Sequence, residues 1–65
     1  MWVAIHLADS MSTADKLVQM LSDEGFLVRV RPVYKMATAT ENNYEILVLK
    51  SEACDARNTL MLNGY

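Results

Sequence analysis

The sequence predicts an α+β domain of order β-α-β-β-α, and three stretches carry the prediction. At the centre, Gly25-Phe26-Leu27-Val28-Arg29-Val30-Arg31-Pro32-Val33-Tyr34 ends a helical pattern with a glycine and opens at once into β-formers. Before it, apolar residues recur at helical spacing from Met11 to Leu21; after it, Tyr44 to Lys50 alternates. Strand side chains point to opposite faces in turn, so Phe26, Val28 and Val30 share one face while Leu27, Arg29 and Arg31 share the other. Arginine is almost never buried unpaired, so helices belong on the Phe/Val/Val side and solvent or a partner on the Arg/Arg side.

Taken in order, Met1 to Ala8 reads as a first strand, with Val3, Ile5 and Leu7 toward the core and Trp2, Ala4 and His6 on the face of Arg29 and Arg31. Asp9 and Ser10 are favoured N-caps, because a short side-chain oxygen accepts a bond from an orphan amide of the first turn. The helix that follows carries the stripe Met11, Ala14, Leu17, Val18 and Leu21, and its methionines read as core filling. Gly25 stands where a left-handed residue closes a helix. Pro32 donates no ladder bond, which places the second strand at a sheet edge. Lys35 to Asn43 reads as a mobile hairpin loop. In the third strand Ile46 and Val48 share one face, Glu45, Leu47 and Leu49 the other, as befits a central strand with Glu45 opposite Arg29 or Arg31. Ser51 is the expected cap of a last helix with Ala53, Ala56, Leu60 and Met61 inward, stopped by Asn63-Gly64; Cys54 reads as a semi-buried packing residue near its start.

Sixty-five residues make one domain, near the lower limit for folding without disulfides or metals. Apolar residues are 52% of the chain, which argues for a globular domain, and no run approaches a membrane span. The amino terminus lacks the basic region, apolar run and cleavage site of a secretory signal, so the cytoplasm is the expected compartment. One cysteine, Cys54, excludes an intrachain disulfide and a cysteine-based zinc site with the one histidine, His6. A net charge of −2 with scattered Lys and Arg gives no electrostatic case for nucleic acid.

A right-handed crossover makes the first two strands parallel, and the loop returns the third antiparallel between them. The expected sheet is therefore antiparallel, three-stranded, of order 1-3-2, with both helices on one face: a ferredoxin-like arrangement without its fourth strand. Across nearly its whole length the chain resembles a family of short bacterial proteins of unassigned function. The resemblance lies in Trp2-Val3-Ala4-Ile5, in Glu24-Gly25-Phe26-Leu27-Val28-Arg29-Val30-Arg31-Pro32, and in Tyr44-Glu45-Ile46-Leu47-Val48 followed by Ser51-Glu52-Ala53. More distantly it is similar to ferredoxin-like domains assigned to signal transduction, themselves similar in outline to nitrogen-regulatory PII proteins and small-molecule-binding ACT domains. Some relatives carry the label glutamate decarboxylase, but that chemistry needs a phosphate site, a Schiff-base lysine and a pocket in a much larger fold. The resemblance implies a fold, not an activity.

One grouping is a candidate site: Trp2, His6, Arg29, Arg31 and Glu45 on the open face, joined there by Leu27, Leu47 and Leu49. His6 has the chemistry of a general base, the arginines that of a carboxylate or phosphate clamp, and Trp2 that of a stacking wall. No nucleophile stands at a recognisable spacing from a base, so neither enzymatic activity nor a cofactor is expected. An apolar patch rimmed by charge marks a protein interface. The expected function is a small regulatory or protein-interaction module acting through the open face, with a homodimer or protein partner. The alternative is a sensor of a small anionic metabolite held by Arg29 and Arg31. Sheet-borne RNA recognition needs exposed aromatics on central strands, where this chain has Glu45, Leu47 and Leu49.

Overall fold

The computed structural model describes residues 1–33 and 43–65. Its elements are β1 (Trp2–Ala8), α1 (Met11–Asp23), β2 (Val28–Pro32), β3 (Tyr44–Leu49), a single 3₁₀ turn (Lys50–Glu52) and α2 (Ala53–Leu62). The strands form one sheet of order β1-β3-β2 with both pairings antiparallel, so the expected β-α-β-β-α ferredoxin-like topology is the one observed. Both helices pack on the same face, where Ala14, Leu17 and Leu21 of α1 and Ala56 and Leu60 of α2 meet Ile46 and Val48 of the central strand. Among the described residues, no helix is long and apolar enough to cross a membrane. Tyr34 and most of the Lys35–Asn43 loop lie outside the described residues.

Local chemistry sets the helix ends. Ser10, with extended backbone, caps α1: its hydroxyl accepts from the Thr13 amide at 3.2 Å, and its carbonyl from the Ala14 amide at 3.0 Å. Ser10→Ala should therefore cost about 1 kcal/mol in urea unfolding, with an unchanged transition slope. At the other end the Phe26 amide donates to the Leu21 carbonyl and the Gly25 amide to that of Ser22, with Gly25 at φ 92°. This paired closure needs a left-handed residue, which glycine adopts without steric cost. The same device recurs after α2, where Tyr65 donates to Leu60 and Gly64, at φ 89°, to Met61. Each closure swings an aromatic ring back over the domain, Phe26 onto the core and Tyr65 onto β1.

Several details depart from the sequence expectation. β2 starts at Val28, because Phe26 is spent closing the helix. α2 starts after the 3₁₀ turn without a side-chain cap, so Ser51 does not cap it. Cys54 is exposed, and Met1, Met11 and Met61 are too, so these methionines do not fill the core; Leu17, Leu21, Ile46 and Val48 are its largest fully buried side chains. The remaining correction is a β-bulge. Ala4 pairs with Leu47 but His6 with Ile46, which leaves Ile5 as the extra residue of β1. A one-residue slip moves every later side chain to the other face. Leu7, expected in the core, is 56% exposed, while Ala8 is buried beside Tyr44.

Candidate functional site

The face without helices is built from three rows set by register. Ala4, Leu47 and Arg29 lie abreast in one row, Leu7, Glu45 and Arg31 in the next, and Trp2 pairs with Leu49 in the row on the other side. Leu27, just ahead of β2, is 59% exposed. These rows hold six of the eight expected site residues, and Leu27 stands just outside them, ahead of β2. His6 is the exception, since its partner Ile46 belongs to the core face and cross-strand partners share a face. The bulge at Ile5 turned it over. His6 is half-buried on the helix side, its ring edge-on to Tyr65 with centroids 6.0 Å apart and planes at 85°. It cannot serve as a general base beside the arginines.

Two contacts organise the face. Trp2 on β1 and Arg29 on β2 flank the central strand and meet across it, the guanidinium carbon lying 4.4 Å from the centroid of the indole ring. A cation over an aromatic face at such a distance is stabilised by roughly 0.5–1 kcal/mol where water still reaches it. Leu47, on the strand between them, is only 7% exposed. The leucine expected to lie open as an association patch is instead covered, and a charge placed there would disrupt the fold and not only a surface. The second contact is the Arg31–Glu45 pair, in which both Nε and Nη2 of Arg31 reach Oε1 of Glu45 at 3.1 Å. It settles which arginine Glu45 opposes. With 61% of the Arg31 side chain exposed, the pair orients more than it stabilises.

The sequence reading missed the Trp2–Arg29 stack. A signal was present, for the diagonal between residues two apart on antiparallel strands is within reach of an aromatic ring, but reaching over a central strand requires the final register. The assembled face carries two arginines and one glutamate, a local charge of +1 on a chain of net charge −2. Around this charge stand Leu27 and Leu7, both exposed, with Leu49 half-exposed. Chemically the arrangement suits recognition: an aromatic and two arginines side by side on one sheet, each arginine with an intrachain contact. Among the described residues no group of three or more histidine, cysteine or acidic side chains is placed to hold a metal ion.

The fold defines this chain as a small ferredoxin-like α+β protein with both helices on one face of its sheet and, among the described residues, no element packed on the other. In comparisons with known proteins, no family model, no curated protein and no solved structure matches the chain.

Proposed function

We propose that this protein is a cytoplasmic regulatory or protein-interaction module, not an enzyme, working through the uncovered face of its sheet. The observation that carries the reading is the Trp2–Arg29 stack, held over the central strand and bordered by exposed Leu27 and Leu7. Tryptophan and arginine dominate the energetics of protein interfaces, and here both side chains are already ordered before a partner arrives. The face is positive, so the fitting partner presents carboxylates together with an apolar spot for Leu27. Two copies meeting face to face would bring four arginines and two glutamates together, a positive surplus that disfavours the face as a surface for self-association.

A photo-reactive residue at Leu27 should cross-link a protein partner, and the same residue at Asp15, exposed on α1, should not. With that partner purified, Arg29→Ala should weaken binding by about 2 kcal/mol, about thirtyfold in Kd. Cross-linking from Asp15 alone, or an Arg29→Ala variant that binds as wild type, would overturn the reading. The alternative of an anionic-metabolite sensor draws on the same arginines, and 61% of the Arg31 side chain is open to solvent. Because each guanidinium already has an intrachain partner, the protein-recognition reading is the better supported. Under the metabolite reading a screened anion raises Tm and Arg31→Ala abolishes the shift.

A further inference from the structure

We propose that the free edge of β1 is where a second copy of this chain adds, the two β1 strands running antiparallel about a two-fold axis to make one six-stranded sheet. This goes beyond the recognition face, which stands or falls on separate tests.

The order β1-β3-β2 leaves two edges, and the hydrogen-bond phase tells them apart. Lys50 donates its amide to the Met1 carbonyl at 2.8 Å, which makes Met1 and Lys50 a bonded pair. Bonded and non-bonded pairs alternate along an antiparallel ladder, so Trp2 and Ala4 are non-bonded toward β3 and their amides and carbonyls point outward. Beyond the bulge the same alternation turns those of Leu7 outward. On β2 the Val33 amide donates to the Asn43 carbonyl at 2.9 Å, so Val28, Val30 and Pro32 are the outward residues there.

The two edges are protected unequally. β2 turns a proline outward, which has no amide to offer, and carries Arg29 and Arg31. Those are standard defences against edge pairing. β1 is seven residues of Trp-Val-Ala-Ile-His-Leu-Ala with no proline, lysine, arginine or carboxylate, and its one irregularity is the bulge at Ile5. Apolar surface flanks this edge on both sides: exposed Leu7 on the uncovered face, and Tyr65, 46% exposed, against His6 on the helix face.

Charge and closure identify the occupant as a second copy. Two β1 strands bring no like charges opposite one another, although the chain is acidic overall. Pairing β1 with the β2 of another copy would meet Pro32 and would leave a free edge at each end to extend indefinitely, whereas β1 with β1 uses one self-complementary edge and closes. The dimer would set two Trp2–Arg29 stacks on one continuous sheet face and leave both open to partners.

The test is sedimentation of the full chain from micromolar to millimolar concentration, with amide hydrogen exchange at Trp2, Ala4 and Leu7. The expected result is twice the chain mass, with those three amides protected in step with dimer formation. Ala4→Pro removes only an outward amide, and Leu7→Lys places a charge at the edge; each should return the chain mass while circular dichroism stays that of the folded protein. If Ala4→Pro does not fold, Leu7→Lys and the three amides decide. A wild-type chain that stays monomeric throughout would overturn the proposal. So would a dimer in which the three amides exchange freely and whose mass Leu7→Lys leaves unchanged.

Discussion

Ile46→Ala is expected to remove about 2–5 kcal/mol of stability, the largest loss from a single truncation considered for this chain. Ile46 is fully buried at the middle of the central strand, paired with His6 on one side and Val30 on the other, and belongs to the cluster of Leu17, Leu21, Ala56 and Leu60. Residues of both helices share its core cluster, so the gap lies where the two helices and the sheet meet. A domain of this length has on the order of 3–10 kcal/mol in total, so the variant should sit close to its unfolding midpoint at ambient temperature. Urea unfolding followed by circular dichroism measures it; a loss below about 1 kcal/mol, the size of an ordinary substitution, would mean the core is centred elsewhere.

One residue further along, Leu47→Ala is expected to cost about 2 kcal/mol, the low end for a buried leucine, because it faces away from the helices. An apolar side chain on a helix-free sheet face would ordinarily be a surface position, where truncation changes stability by within about ±0.5 kcal/mol. Leu47 differs because the Trp2–Arg29 stack closes over its strand. The variant should also shift Trp2 emission to the red as the indole loses its apolar floor. A cost within surface range and an unmoved spectrum would mean that the stack does not cover Leu47.

The fold was legible in the sequence because its signals were local. Gly25 marked a helix closure, Ser10 a cap, Pro32 an edge, and the period-two pattern of Tyr44–Leu49 a central strand. Each follows from one residue's stereochemistry or from a short repeat. The face was legible in β2 and β3 because alternation runs unbroken there, while the choice of Arg31 over Arg29 as the partner of Glu45 waited on the register. In β1 alternation failed at the bulge, which no glycine or charge in Trp2–Ala8 announces. That single slip misplaced His6 and Leu7 together. Burial of Leu47 was out of reach for another reason, since its cover comes from two strands brought together only by the fold.

Trp2, the one tryptophan of the chain, lies on the sheet face proposed as the recognition surface and reports on it directly. The decisive measurement is acrylamide quenching of Trp2 emission in the free protein and in the purified complex with the partner cross-linked through Leu27. Quenching should fall when the complex forms, because the partner covers the indole along with Arg29. Equal quenching in the free and bound states would contradict it, and would move the binding surface off this face of the sheet.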